Sequence, residues 1–263
     1  MANLAHFTRA EFLAERWNHQ RGESVFLCQP SQGGKTEWAF QLLAATDHPP
    51  EKPPVALVMK PRDPTPAKWT RQLGWKEIRS WPPPPVPPWS SRPPGYTLWP
   101  RHTLSLDPAS IDKTNQRIKR SFEACLMDAY SRGGRTVFCD EVYGLLADLD
   151  MDQVVNALLT RGMGMGSGLW YATQKPSGTH GAPMPGFIFN SWIHGFFGHD
   201  PVAQNRKRFA DISGIDTRMV METIGGLQVL PTKTPYGLKP ISQQLYVNRN
   251  GPRGGYMCII EPY

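Results

Sequence analysis

One eight-residue stretch constrains this chain more than any other: Gln29-Pro30-Ser31-Gln32-Gly33-Gly34-Lys35-Thr36. It follows the apolar run Val25-Phe26-Leu27-Cys28 and precedes Glu37-Trp38-Ala39-Phe40-Gln41-Leu42-Leu43. Strand, glycine-containing loop, helix is the order that a phosphate-cradling loop needs, because backbone N–H groups at a helix N-terminus point at the bound anion. In that reading Ser31, Gln32, Gly33, Gly34, Lys35 and Thr36 bind a nucleotide. Lys35 reaches the outer phosphates, and the Thr36 hydroxyl holds Mg²⁺. Such a loop usually begins with glycine. Here Gln29 stands first, and Pro30 stiffens the turn behind it. A chance Gly-Gly-Lys-Thr turn is the competing reading, and the flanking strand and helix weigh against it.

The rest of the chain bounds what the loop can serve. With 263 residues there is enough for one large domain or two small ones. No apolar run approaches the length of a membrane span, and the N-terminal residues lack a signal-peptide layout. Cys28, Cys125, Cys139 and Cys258 lie far apart among mostly apolar neighbours. They read as reduced core residues rather than a zinc set or a disulfide framework. The net charge of +7 suits a polyanion such as nucleic acid, although a merely soluble basic surface carries the same charge.

Taken in order, Thr8-Arg9-Ala10-Glu11 has capping-box spacing and predicts a short helix through Phe12, Leu13 and Trp17. Val55 to Met59 is a continuous apolar run, as expected of a strand buried on both faces of a parallel sheet. Lys60 and Arg62 follow it, functional by position or simply solvated loop charges. A brief helix is expected around Ala67 to Leu73. Residues 81–95 are dominated by proline, which excludes a central strand or a helix interior. They read as an extended insertion, a rigid connector more simply than a docking strip. Tyr96 to Trp99 reads as a strand.

A long helix is expected after Asp107 or Ser110. Ile118, Phe122, Cys125, Leu126 and Ala129 would face inward, and Gly133-Gly134 would close it. Arg135-Thr136-Val137-Phe138-Cys139 is then a strand ending in Asp140-Glu141. In a phosphate-loop protein, Asp140 would hold the Mg²⁺ shell and Glu141 would activate water for attack on the γ-phosphate. Met151 to Thr160 should be helical, with Val154, Val155, Leu158 and Leu159 inside, followed by a glycine-rich loop opened by Arg161. The strand Leu169 to Thr173 ends at Gln174. That residue would lie beside the acids if the two strands are parallel neighbours, placed to polarise the γ-phosphate region.

The order of phosphate loop, Asp140-Glu141 and Ala172-Thr173-Gln174-Lys175-Pro176-Ser177 resembles the FtsK–HerA superfamily of DNA-pumping ATPases. It is most similar to the genome-packaging ATPases of membrane-containing icosahedral phages and viruses. The resemblance runs from about Val25 to about Gly214, and Gln29 is its departure. It implies an α/β, RecA-like core with a mostly parallel central sheet flanked by helices. It implies ATP and Mg²⁺, a homo-oligomeric ring such as a hexamer, and double-stranded DNA as partner. Capsid vertex proteins would be further partners, and the place of action would be the host cytoplasm or the packaging vertex. Lys35, Thr36, Asp140, Glu141 and Gln174 take the roles given above. Arg161 would reach a neighbouring subunit's ATP as an arginine finger, with Arg206 and Arg208 in reserve.

Beyond Gly178 the signals weaken. Phe187 to Phe189 and Trp192 to Phe197 read as one or two strands. His194 and His199 read as structural rather than ligating. Gln204 to Phe209 reads as a helix ending near Gly214, and Thr217 to Thr223 as another. Leu245 to Val247 and Tyr256 to Ile260 form a predicted C-terminal hairpin. No second-domain boundary is legible, so the expectation is a single domain over 1–263. Functionally the sequence points to an ATP-driven DNA translocase that packages viral genomes. A conjugation or export motor, or a nucleotide-binding assembly protein with little turnover, remains the alternative.

Overall fold

A computed structural model describes residues 4–30, 33–105, 107–174, 184–234, 237–250 and 256–262. In chain order the elements are β1 (His6–Phe7), α1 (Arg9–Glu15), β2 (Val25–Cys28), α2 (Lys35–Ala45), β3 (Val55–Leu57) and α3 (Pro64–Gln72). There follow β4 (Lys76–Ile78), β5 (Tyr96–Leu98), α4 (Pro108–Arg132), β6 (Thr136–Cys139), α5 (Asp152–Arg161) and β7 (Gly168–Thr173). The last are α6 (Gly186–Asn190), β8 (His194–Gly198), α7 (Ala203–Ser213), α8 (Thr217–Gly226), β9 (Val229–Thr234), β10 (Gly237–Ser242), β11 (Gln244–Asn248) and β12 (Tyr256–Ile260). These fall into two compact units, one of residues 1–19, 24–35 and 172–263, the other of residues 20–23 and 36–171.

The strands of the first unit lie in the order β1-β12-β11-β8-β2. β1 is parallel to β12 and β2 to β8, while β11 runs antiparallel to both its neighbours. The β11–β12 pair is the expected C-terminal hairpin. The register sets Cys28 beside Phe197 and Gly198 beside Gln244. The capping box at Thr8 forms, with Glu11 Oε2 accepting the Thr8 N–H at 2.8 Å, and α1 then turns Phe12 onto Tyr246 and Phe196, ring centroids 4.7 and 5.9 Å away. The helix stops at Glu15, so Trp17 lies beyond it. His194 is a structural histidine, buried with Nδ1 2.8 Å from the Tyr246 hydroxyl.

One reading is corrected here. Phe187, Ile188 and Phe189 are not strand; they form the short helix α6, which buries Ile188 and Phe189. An apolar run this short fits either a strand or a buried helix turn, and its periodicity could not decide. The antiparallel β9–β10 ribbon was not anticipated either. Its prolines, Pro231 and Pro240, mask a strand pattern, since proline lacks the N–H a ladder uses.

The second unit carries β7-β6-β3-β5-β4, all parallel. β3, β5, β6 and β7 are buried along their whole length, which is why they read as unbroken apolar runs. Leu57 is registered with Cys139, and Cys139 with Tyr171. α4 is capped by Asp107, whose carboxylate accepts the Ser110 N–H at 2.9 Å. The helix ends at Gly133, whose φ of +65° is the left-handed region that glycine adopts freely. Ile118, Phe122, Cys125, Leu126 and Ala129 all face inward as predicted. The proline-rich segment links β4 to β5, and β4 itself was not expected. Trp81 is covered by the Arg135 guanidinium, 5.0 Å from its ring centroid. All four cysteines are free and buried.

Candidate nucleotide-binding site

The predicted phosphate loop lies where β2 ends and α2 begins. β2 is fully buried, so the strand is held rigidly and the loop leaves it at a defined point. Gly34 sits at φ +84°, a conformation that side-chain-bearing residues rarely adopt. It makes the turn from which α2 starts at Lys35. Lys35 is only 9 % exposed, and its Nζ donates to the carbonyls of Gln29 at 2.8 Å and Pro30 at 3.3 Å. The ammonium is therefore drawn back over the start of its own loop. Ser31 and Gln32 lie outside the described residues.

Thr36 and Asp140 meet within the second unit. The Thr36 hydroxyl donates to Asp140 Oδ1 at 2.5 Å. The other oxygen, Oδ2, is 3.5 Å from Lys60 Nζ, which also lies 3.5 Å from Asp63 Oδ2. Burial pulls the Lys60 ammonium pKa down, but Asp140 and Asp63 together outweigh it and raise the pKa above the ordinary lysine value. A hydroxyl and a carboxylate held this close are a fitting pair of oxygen ligands for Mg²⁺, which prefers oxygen donors and shares its shell with phosphates. Glu141 follows directly, half-buried.

β6 and β7 are parallel neighbours, and Gln174 directly follows β7. Within the first unit the Gln29 N–H donates to the Thr173 carbonyl at 3.3 Å, which ties the start of the phosphate loop to the end of β7. Arg161 is the last residue of α5, with an exposed side chain. The glycine-rich segment after it is a short 3₁₀ turn, Met163–Met165, ended by Gly166 in the left-handed region. Both reserve arginines have local work. Arg206 Nη1 donates to the carbonyls of Asp200 and Pro201, and the Arg208 guanidinium lies 4.8 Å from the Phe189 ring centroid.

Among solved structures, the chain is similar to the genome packaging NTPase B204 from Sulfolobus turreted icosahedral virus 2. Against its sulfate complex the TM-score is 0.54 with 11 % identity, covering 93 % of this chain and 98 % of that one. Against its AMPPCP complex the TM-score is 0.53 with 12 % identity, covering 92 % and 99 %. B204, the DNA-packaging ATPase from Sulfolobus Turreted Icosahedral Virus, gives 0.52 with 13 % identity, covering 93 % and 100 %. The fold is that of the B204 packaging NTPases. No family model and no curated protein matches the chain. The likeness confirms the expected α/β core with its mostly parallel strands and C-terminal hairpin, and it extends beyond the stretch that carried the sequence motifs.

Two features of the site escaped the sequence. Lys60 was open between a functional residue and a solvated charge. The β3–β6 pairing, with Leu57 beside Cys139, is what brings it to Asp140. A lysine just past a buried parallel strand was the available signal. Arg9 gave none. It opens α1, is 6 % exposed, and lies so close to the loop that a Cβ on Gly34 would stand 3.6 Å from its Nη2.

Proposed function

We propose that this chain is an ATP-hydrolysing, ring-forming motor that moves double-stranded DNA, and that its cargo is a viral genome. The observation that carries the reading is the Thr36–Asp140 hydrogen bond, which joins the residue after the loop lysine to the acid at the end of β6. Bound Mg²⁺ would neutralise charge on the β- and γ-phosphates. Thr36 and Asp140 would hold it, and Lys35 would exchange the Gln29 and Pro30 carbonyls for the outer phosphates. Glu141 would accept a proton from the attacking water, and Gln174 would orient the γ-phosphate region. Arg161, supplied by a neighbouring subunit, would offset the charge that builds on the transferring phosphoryl group.

The similarity to B204 supports the packaging assignment over a conjugation or export motor, because the name and the near-complete mutual coverage both belong to packaging NTPases. The deciding experiment is ATP turnover by the full chain with and without duplex DNA. Stimulation by DNA is expected. Tight ATP binding with negligible turnover under both conditions would instead identify an assembly protein that uses ATP as a structural ligand.

A further inference from the structure

The residue that breaks the loop pattern is also the one whose environment asks for an explanation. Gln29 is 1 % exposed, and its Oε1 and Nε2 are both buried without a hydrogen-bond partner among the described residues. Leaving a buried carboxamide unpaired is unfavourable, and native folds rarely keep one without a use. Two glycines make room for it. A Cβ on Gly33 would come 2.8 Å from Gln29 Oε1. A Cβ on Gly198, at the end of β8, would stand 2.5 Å from Gln29 Cβ and 3.0 Å from Oε1. Neither glycine has a positive φ, so backbone conformation does not call for glycine at either place. Space for the Gln29 side chain does. The main-chain carbonyl of the same residue accepts the Lys35 ammonium.

We infer that Gln29 is a positioning residue of the nucleotide site, and this rests on the nucleotide-binding reading above. Its carboxamide braces the phosphate loop from below at Gly33, and Gly198 is the complement that admits it. The Gly33 N–H donates to Pro30 O at 3.2 Å in this structure. With phosphates bound, the Gln29 amide supplies a hydrogen bond to the loop backbone beside Gly33. A loop that begins with glycine has no such group.

The test compares two methionine variants of the full chain. Gln29→Met keeps the bulk and removes the amide. Gln244→Met does the same on the other side of Gly198, where Gln244 is the register partner and is likewise buried, its amide without a partner among the described residues. Removing an unpaired buried amide should leave the Tm of both variants unchanged or higher. Only Gln29→Met should weaken binding of ATPγS with Mg²⁺, by about tenfold, the effect of losing roughly one hydrogen bond. Gly198→Ala should weaken it too, by displacing the amide, and Gln29→Met on that background should add little further loss. If Gln29→Met does not fold, Gly198→Ala decides alone. Wild-type affinity in Gln29→Met, or in Gly198→Ala where that alone can be read, overturns the inference while leaving the nucleotide site standing. Failure of the wild-type chain to bind ATPγS overturns both.

Discussion

At the scale of single residues, Asp140 and Glu141 are adjacent in sequence, and the proposed function gives them different tasks. Asp140 has both oxygens engaged, one by the Thr36 hydroxyl and the other near Lys60. A group tied on both sides is suited to holding a fixed position, and the proposed base is Glu141. Glu141→Gln keeps the shape and should leave ATP binding intact while turnover falls about 10²–10⁴-fold. Asp140→Ala should instead raise the Mg²⁺ concentration needed for half-maximal activity. Steady-state turnover across a Mg²⁺ titration checks both, and normal hydrolysis by Glu141→Gln would move the base elsewhere. Lys60, 3.5 Å from Asp140 Oδ2, is a neighbour of that acid that no motif names.

At the scale of elements, α5 and the turn behind it decide what Arg161 can do. Val154, Val155, Leu158 and Leu159 fasten one face of the helix into its unit, which fixes where its last residue emerges. Gly162 then permits a tight reversal, because a Cβ there would come 2.2 Å from the Leu158 carbonyl and 2.5 Å from that of Ser167. Arg161 is thus presented to solvent from a rigid base. A cation at a helix C-terminus is worth about 0.3–1 kcal/mol through the helix dipole alone, and that by itself explains an arginine here. The finger role goes further and predicts a particular result. Arg161→Ala subunits and Glu141→Gln subunits, each inactive alone, should partly restore ATP hydrolysis when mixed. Some interfaces then pair an intact arginine with an intact acid. Full activity of Arg161→Ala alone under ring-forming conditions would place the finger elsewhere. Arg206 and Arg208 are weaker substitutes than their sequence suggested, since each is occupied within its own unit.

At the scale of the whole molecule, the relevant quantity is the excess of seven positive charges. Spread over a surface, such an excess attracts any polyanion without choosing among sequences. A translocase needs that kind of grip, because it must release each phosphate as readily as it takes it. Duplex DNA binding should therefore fall steeply as salt rises, through release of counterions, and should depend little on base sequence. Fluorescence anisotropy of a labelled duplex across a salt series measures the slope. A flat dependence, or no binding at low salt, would count against a DNA motor. No helix among the described residues is long and apolar enough to cross a membrane.

Most of the local structure around the candidate site was legible in the sequence. A glycine with positive φ before Lys35, a buried strand before the loop and a second buried strand ending in two acids each need only a few neighbouring residues. Backbone geometry and burial therefore write them into the sequence directly. The capping box at Thr8, the Asp107 cap and the glycine stop at Gly133 were readable for the same reason. What the sequence could not show is which strand ends stand side by side. Strand order is a long-range choice, and only the β3–β6 register brings Lys60 to Asp140. The same holds for Gln29. By itself it looks like a defect in a motif. The tertiary structure shows its amide buried between Gly33 and Gly198, residues separated by most of the chain and joined only because β2 and β8 pair.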